Sequence, residues 1–569
     1  MVWQCGGVEG EEMKSVRIRT EGEITQTMHP YAQSLIANIP RILNQLDRNS
    51  TSATFGCFDR EYWHYKTADF ACARKQEGVL SLALVFMNKF ENNPYFNSAM
   101  VKEWCEAGIA CWMRMQNNDG SFNEWYPEEH SFVASAFSTY AITEAILVLR
   151  LPISEATRNA ICAAGKFLQQ HAEFRVQNQQ AGAIMALHNC SLVTGEESFA
   201  VTAKQRLSEL AKKQTREGWF DEYGGPDIGY LSVAIDYLGK YYAKTTDKQA
   251  VVMMKKAASF LAQVMHPDGS AGGVYTSRST EYLIPSAFEH DLGNDALILA
   301  QFCRQGIQSG VLPSCTTLDD RYLLYNGYTY AQAELQAKLL PKKIVQLFKN
   351  TTYFSECGWF IRRTKHYFII INLKKGGAFY FASPDNRVHD AGVFIAGSPV
   401  LSSSFVGSST EHEFIPKNPE LCAKITVRGN MQQSPEEVLS PLKNMLLRGT
   451  QLTIGKNQKV RHLLKEVFRD RLIASRKTKT SFAQNMLKGM FRRAPEKSEH
   501  PLGFERCFVF SEESVAVEDM LHNPPADCEF LVGAKQAVQT VPSSRFFVLG
   551  DLEYHVVSST SATIHRKLL

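Results

Sequence analysis

The feature that most constrains this chain is a helical segment ending in a glycine turn, which recurs along its first half. The helix WCEAGIACWMRM leads into QNNDGSF (116–122), RLSELAKK into QTREGWF (214–220), and AASFLAQVM into HPDGS (266–270), with Gln263 in the place of the earlier glutamines. Gln116 and Gln214 are 98 residues apart, and Gln263 follows 49 residues later. A weaker copy near residue 165 ends in a degenerate turn at 171–174. Helix hairpins of about 50 residues bury their apolar faces by stacking side by side. The repeat therefore predicts an N-terminal incomplete (α/α) toroid.

Beyond a proline-containing segment at 311–321 and one more helical stretch at 328–348, the apolar period changes from 3.6 to 2. Short runs such as GWFIRRTKHYFIIINL and KKGGAFYFAS are separated by Gly-Gly and Pro-Asp-Asn turns. This pattern predicts two packed antiparallel sheets. We expect a lead-in over 1–54 with a helix at 31–46, a toroid domain over 55–345, and a C-terminal antiparallel β-sandwich over 350–569.

One segment departs from the β pattern. Residues 471–493 contain seven Lys and Arg and no acidic residue, with apolar side chains near helical spacing. A basic amphipathic helix can lie on an anionic membrane surface. A solvated basic insertion in the sandwich, near 471–497, is the simpler interpretation and is preferred. Peripheral membrane contact stays open as a second interpretation.

Composition excludes several classes of protein. A net charge of +4 over 569 residues predicts no nucleic-acid partner. The 13 cysteines include no C-x-x-C pair, which argues against a disulfide framework and a structural zinc site. The first residues lack the basic and apolar regions of a secretory signal, and we find no membrane-length apolar run. We therefore expect a cytoplasmic protein without a cofactor. A structural divalent metal and the oligomeric state are left open.

Three turn regions should meet on one rim of the toroid, because each follows the same member of its helix pair. They are 117–132, 214–230 and 268–291, and they carry aromatics, carboxylates, amides and an arginine. Such a set suits a sugar, whose apolar faces stack on rings while charged groups hold its hydroxyls and carboxylate. The candidate ligands are Asn123, Glu124, Tyr126, Glu128, Glu129, His130, Tyr223, Asp227, Tyr230, Arg278, Glu281, Tyr282, Glu289 and His290.

A second polar and aromatic group lies at residues 59–65, DREYWHY. Two interpretations have equal weight. The segment is either a packed N-terminal cap in which Asp59 and Arg60 pair with each other, or a wall that faces the substrate.

The segments NDGSFNEWYPEEHSF, GGPDIGYLSVAIDYL and KKGGAFYFASPDNRVHDAG together resemble the heparinase II/III-like group of polysaccharide lyases. The resemblance implies β-elimination from a uronic-acid polymer, in which a base removes the proton beside a neutralised carboxylate. The implied catalytic residues are Tyr223 or Tyr230 as base or acid, with His130 and Arg278 neutralising the carboxylate. The implied substrate-binding residues are Asn123, Glu124, Tyr126, Asp227, Tyr282 and His290.

Tyrosine suits the role of base only if a nearby cation lowers its pKa from about 10. Uronate epimerisation shares the proton-abstraction step, so the same residues suit it. The acidic polysaccharide or glycan is the expected partner.

Other interpretations stay open at this point. Tyr223 and Tyr230 flank Gly-Gly-Pro and can simply pack a tight turn. His130 can bond within its own loop, and Arg278 can pair with Glu281. A glycoside hydrolase on the same scaffold would use two carboxylates, Glu124 and Asp227, as acid and base. A non-catalytic glycan-binding protein is the remaining alternative.

Overall fold

The computed structural model describes residues 2–4, 17–19, 30–173, 175–290, 293–337, 340, 349–395, 401–404, 410–433, 441–453, 502–522, 529–533, 555–558 and 563–568. The basic segment at 471–497 lies outside these residues, so its predicted membrane or solvent role is not addressed. Two short strands, β1 (Val2–Gln4) and β2 (Arg17–Arg19), pair antiparallel before the first helix.

The helices of the N-terminal domain alternate between an outer and an inner ring. The outer helices are α1 (Tyr31–Gln45), α4 (Ala99–Arg114), α6 (Glu155–Gln170), α8 (Glu197–Lys213), α10 (Lys248–Val264) and α11 (Asn294–Gln308). The inner helices are α3 (Gly78–Met87), α5 (Phe132–Leu149), α7 (Gln177–Thr194), α9 (Ile228–Thr245) and α12 (Asp320–Gln336). A single turn, α2 (Arg60–Trp63), lies in the loop between α1 and α3. This alternation is the predicted toroid of helix hairpins.

The inner ring closes on itself through a short element. Helices α3, α5, α7 and α9 pack in succession, and α12 packs against α3. Between α9 and α12 the ring position is filled by a 3₁₀ turn, Pro285–Phe288, in place of a full helix. The predicted incompleteness of the toroid is located at this position. Helix α1 lies in the segment predicted as a lead-in, and it packs against α12.

The inner helices are buried on most of their surface because they contact neighbours on several sides, whereas the outer helices have one buried face. Helix α5 is the described helix that is long and apolar enough to cross a membrane. Since 72% of it is buried inside the protein, it is a core helix of the ring.

The repeated turn has one construction in two copies. The Gln116 side-chain amide donates to the carbonyls of Gly120 and of Ala160 in α6, and Gln214 donates in the same way to Gly218 and to Met253 in α10. Each glutamine thus ties its turn to the next outer helix. The glycines have positive φ, and a Cβ at Gly120 would lie 2.2 Å from the Ala163 carbonyl oxygen. Only glycine allows this approach.

The third copy corrects the sequence alignment. In the third copy His266 forms the backbone hydrogen bonds that Asn117 and Thr215 form in the first two turns. The residue before His266 is Met265, so Met265 is equivalent to Gln116 and Gln214. Gln263 was assigned to this position wrongly, because Gln116 and Gln214 lie four residues before their turn glycines, whereas Gln263 lies six residues before Gly269. A further turn has the same close approach, since a Cβ at Gly56 would lie 2.1 Å from the Ala107 carbonyl oxygen. The side-chain amide of Gln76 donates to the carbonyls of Gly56 and Gly108 there, as the turn glutamines do in the other copies.

The C-terminal domain contains a five-stranded antiparallel sheet in simple sequential order. Its strands are β3 (Thr351–Phe354), β4 (Trp359–Arg363), β5 (Phe368–Asn372), β6 (Ala378–Ala382) and β7 (Arg387–Asp390). Along β5, Ile369 and Ile371 face a second sheet, whereas Phe368 and Ile370 join the core of the helical domain. Because both faces are covered, this strand is a continuous apolar run.

Two further sheets complete the domain. The strands that follow β7 are β8 (Val393–Ile395), β9 (Leu401–Ser402), β10 (Glu411–Ile415), β11 (Lys424–Asn430), β12 (Gln432–Gln433), β13 (Gly503–Phe510), β14 (Val515–His522), β15 (Glu529–Val532), β16 (His555–Ser558) and β17 (Thr563–Lys567), with helix α13 (Pro441–Leu452) after β12. One sheet has the order β10-β11-β13-β14-β17 and packs on the first; the other has the order β12-β9-β8-β15-β16. The predicted sandwich of antiparallel sheets is confirmed.

Candidate active site

The loops that lead from outer to inner helices gather polar side chains at one end of the ring. They come from the loop before α5, the loop before α9, the segment before the 3₁₀ turn at 285–288, and a 3₁₀ turn at Ala73–Glu77. Six of these side chains interact electrostatically with one another and form the cleft cluster: Arg74, Glu124, Tyr223, Tyr230, Arg278 and Tyr282.

Tyr223, Tyr230 and Arg278 lie together, as the sequence predicted. The guanidinium carbon of Arg278 is 4.6 Å from the centre of the Tyr223 ring, and the two tyrosine rings are 6.2 Å apart. Tyr223 has a φ of 61°, in a turn where the Glu222 N–H donates to the Gly225 carbonyl at 2.9 Å. The Arg278 Nε is buried, with no acceptor among the described residues. The guanidinium is therefore incompletely satisfied by the protein.

The pKa of these tyrosines differs from the sequence expectation. Burial raises the pKa of Tyr223 to about 12, although the Arg278 cation acts in the opposite direction. Burial also raises the pKa of Tyr230 well above its usual value. The condition for a tyrosine base, a pKa lowered by a nearby cation, is therefore not met, because loss of hydration outweighs the charge. Both side chains are neutral phenols at neutral pH, and so are suited to donate a proton.

Glu124 is a buried carboxyl group in the same cleft. Burial raises its pKa to about 7, against the attraction of Arg74, whose guanidinium is 3.9 Å away. The Glu129 carboxylate accepts the N–H groups of Glu124 and Trp125 at 2.7 and 2.8 Å, which shapes the loop around it. A carboxyl group with a pKa near neutrality can accept or donate a proton at physiological pH.

Arg74 was not identified from the sequence. It pairs with Glu77 at 2.7 Å, and its guanidinium stacks on Tyr325 at 3.9 Å and on Phe137 at 4.7 Å. Nothing in the segment ACARKQE distinguishes it, since its importance depends on α5 and α12 packing beside it.

The Asp227 side chain is buried and hydrogen-bonded within the protein, and it does not face an open site. Its carboxylate is fully buried, caps α9 by accepting the Tyr230 N–H, and accepts four bonds from the segment that carries Arg278. These donors are the Thr276 hydroxyl, the Arg278 N–H, and the N–H and hydroxyl of Thr280. The predicted role of Asp227 as a sugar ligand is not supported, because its two oxygens accept five protein donors.

His130 and Asn123 form hydrogen bonds within the loop before α5. The His130 ring contacts Asp119, Ser121 and Glu128 at 2.6, 2.7 and 3.3 Å. Burial opposes ionisation of Asp119, but its bonds with His130 and Ser121 lower its pKa overall. The Asn123 side-chain oxygen accepts the His130 N–H at 3.0 Å. These bonds match the alternative in which His130 bonds within its own loop.

Tyr282, Tyr126 and His290 are the remaining predicted site residues. Tyr282 is buried beneath the start of α9, where its ring would meet a Cβ at Gly229. Tyr126 is half-buried between Glu124 and Glu129. His290 packs against Gly239, nine residues beyond Tyr230 and so about 13 Å further along α9. His290 is therefore remote from the cleft cluster. No group of three or more His, Cys, Asp or Glu side chains able to hold a metal is found in the described ranges.

Comparison with known proteins supports the fold. No protein-family model matches the chain, and no curated protein matches it significantly. The chain is similar to the Streptomyces coelicolor A3 chondroitin AC lyase, in complex with chondroitin sulphate, with a TM-score of 0.50 and 9% identity over 90% of this chain and 69% of that chain. A Paenibacillus xanthan lyase matches with a TM-score of 0.47 and 7% identity over 88% of this chain, which spans only 46% of the lyase. The chain shares a helical-then-β fold with polysaccharide lyases, as the resemblance implied.

Proposed function

We propose that this chain is a carbohydrate-active enzyme that abstracts the proton beside the carboxylate of a uronic-acid unit. The observation that carries the proposal is the Arg278 guanidinium on the Tyr223 ring, in a cleft that also holds Tyr230 and a carboxyl group with a pKa of about 7. An acidic polysaccharide is the substrate class to test first, since the fold is shared with a lyase described in complex with chondroitin sulphate.

The proposed chemistry divides the work among three groups. Arg278 pairs with the uronate carboxylate, which stabilises the negative charge that develops when the adjacent carbon loses its proton. Ionised Glu124 accepts that proton. A neutral phenol, Tyr230 or Tyr223, donates its proton to the leaving glycosidic oxygen, so the C–O bond breaks and a C=C bond forms. Return of a proton to the opposite face of the same carbon would instead give epimerisation.

A hydrolase that uses Glu124 and Asp227 as its carboxylate pair fits the site less well. Asp227 is fully buried and already accepts five hydrogen bonds, so it has no free oxygen to activate a water molecule. Hydrolysis on this scaffold would require a different second carboxylate.

The test is incubation with a panel of uronic-acid glycans, following near-ultraviolet absorbance and product mass together. Elimination produces an absorbing double bond and shorter chains. Tyr230→Phe and Arg278→Gln should each lower the rate by about 10²-fold or more. Arg216→Gln, at an exposed arginine on the loop before α9, is the control. Shorter chains without absorbance would replace elimination by hydrolysis, and no change of any glycan would favour a binding protein.

A further inference from the structure

A second cleft lies where the first and last repeats of the ring meet. Its volume is about 260 Å³, and its walls come from the end of α1, from α2, from the 3₁₀ turn at Ala73–Glu77 and from the start of α12. Among its lining residues are Arg60, Tyr65 and Arg321. It includes part of the polar and aromatic segment 59–65 that the sequence left between two interpretations.

The acidic groups in this cleft already have partners. Lys75 donates to Asp59 and Glu61 at 2.7 and 2.6 Å. The Asp320 carboxylate accepts two bonds from Arg41 and one from Gln45. Asp59 is thus bound to Lys75, and the predicted pairing of Asp59 with Arg60 is replaced by this bond.

Two arginines of the cleft have no such partner. Within the described residues, neither Arg60 nor Arg321 forms an ion pair with a carboxylate within 4 Å, and the Arg60 Nε is buried without an acceptor. Each guanidinium lies on an aromatic ring instead, Arg60 at 5.1 Å from the Tyr65 centre and Arg321 at 4.8 Å from the Trp125 centre. A guanidinium with free N–H groups in a cleft favours a carboxylate or sulfate, which accepts two parallel hydrogen bonds.

The two rings are largely open to solvent, Tyr65 at 57% and Trp125 at 60% exposure. Each has one face covered by its arginine, which leaves ring surface for the apolar face of a sugar. Trp125 follows Glu124 directly in the chain, and Arg321 interacts electrostatically with Glu124. The cleft at the repeat junction and the cleft cluster are therefore linked by the Trp125–Arg321 stack.

We propose that this cleft is a binding subsite for one anionic sugar unit, held by Arg60 and Arg321 and distinct from the unit that reacts. The volume of about 260 Å³ is slightly below the range of pockets for drug-sized ligands, so it suits a single sugar unit. The identity of the polymer is taken from the proposed function, whereas the binding of an anionic sugar in this cleft does not depend on it. Because the contacts are the same before and during reaction, the subsite contributes to substrate binding and not to the chemical step.

The test measures binding by calorimetry in the Tyr230→Phe background, so that turnover does not interfere. The probes are a hexasaccharide of alternating uronic acid and sulfated amino sugar, a neutral glucose hexasaccharide, and sodium sulfate. We expect Arg60→Gln and Arg321→Gln each to raise the Kd for the anionic hexasaccharide by about tenfold. Arg48→Gln is the matched control, since Arg48 also stacks on a tryptophan, Trp104, but outside the cleft. Thermal unfolding verifies that each variant folds.

The outcomes separate the two proposals. Loss of affinity in both cleft variants supports the subsite, even if the wild-type protein turns over no glycan and the proposed function fails. Unchanged affinity in both variants overturns the subsite, even if elimination is observed. Equal affinity for sulfate and for the hexasaccharide also overturns it, because the cleft would then bind a simple anion. In an active enzyme, Arg60→Gln should raise KM and leave kcat unchanged. Arg321→Gln should raise KM as well, but it also removes a charge that lowers the pKa of Glu124, so its kcat does not serve as a test of the subsite.

Discussion

Asp227 shows how a single buried carboxylate positions residues from two parts of the chain. Its oxygens hold both the first turn of α9, which bears Tyr230, and the segment that bears Arg278. The Asp227 oxygens that could have bound a sugar hydroxyl instead accept hydrogen bonds from the protein itself. The sequence could indicate that Asp227 was important, but it could not show which way the side chain points.

Substitution of Asp227 by Asn keeps the shape and removes the charge and one acceptor oxygen. We expect Asp227→Asn to lower the free energy of unfolding by about 2–3 kcal/mol, because at least one buried donor loses its partner. The measurement is denaturant unfolding. Asp247→Asn is the control, since Asp247 also caps a helix but pairs with the exposed Lys204. Its cost should be about 1 kcal/mol or less. Equal costs would contradict the role assigned to Asp227.

Glu124 gives the protein a specific pH dependence. Its pKa is raised to about 7 in the folded state, so between about pH 4.5 and pH 7 the folded protein keeps a proton that the unfolded chain has lost. The contribution of Glu124 to stability is therefore present at the acidic end and is lost as pH rises through 7. Glu124→Gln should reduce the decline by this contribution, which thermal unfolding at a series of pH values would detect, while Glu77 and Glu222, whose pKa values burial also raises, keep theirs. A decline of unchanged size in the variant would exclude Glu124 as its source.

At the scale of elements, the repeat explains how far the sequence could predict the fold and the site. Helices, their order and the rim followed from the recurrence of a glycine turn. Tyr223 and Arg278 were predicted as neighbours because their loops occupy equivalent positions. Arg74 and Arg321 could not be predicted in this way, since they reach the clefts only through ring closure between the first and last repeats.

The turn glutamines provide a test of the structural alignment of repeats. Gln214→Ala removes two hydrogen bonds, one to Gly218 within the turn and one to Met253 in α10. We expect a loss of about 1–2 kcal/mol in the free energy of unfolding, with Gln116→Ala similar. Gln263→Ala should cost much less, because the equivalent position in the third copy is Met265. Denaturant unfolding of the three variants compares them directly, and an equal cost at Gln263 would restore the sequence alignment.

At the scale of the whole molecule, the first β-sheet is shared between the two domains. One of its faces completes the helical core, and a turn after β5 reaches the segment that carries Arg278. Lys375 in that turn donates to the carbonyls of Val274 and Thr276 at 2.8 and 2.7 Å. Burial lowers the pKa of Lys375 to about 7. The β domain therefore helps to position the cleft cluster.

Lys375→Met keeps the length of the side chain and removes its donors. We expect kcat to fall by about tenfold or more on a uronic-acid glycan, because the Arg278 segment loses its support. Lys374→Met is the matched control, since Lys374 donates to the backbone carbonyls of Ser355 and Glu356 at the surface. Initial rates of both variants, with unfolding curves, provide the comparison. A loss confined to stability, with kcat unchanged, would show that Lys375 joins the domains without positioning the site.

The seam between α1 and α12 has a topological consequence. The Ala32 N–H donates to the Glu334 carboxylate at 3.1 Å, so the chain enters and leaves the helical ring at the same place. In a closed ring the first repeat has a neighbour on both sides, so any repeat could come first in the chain without changing which repeats are neighbours in space. A helical domain joined across this seam and opened instead at the exposed Gly195 turn would preserve every packing interface between helices. The geometry of the ring therefore does not determine where the chain enters and leaves the helical domain.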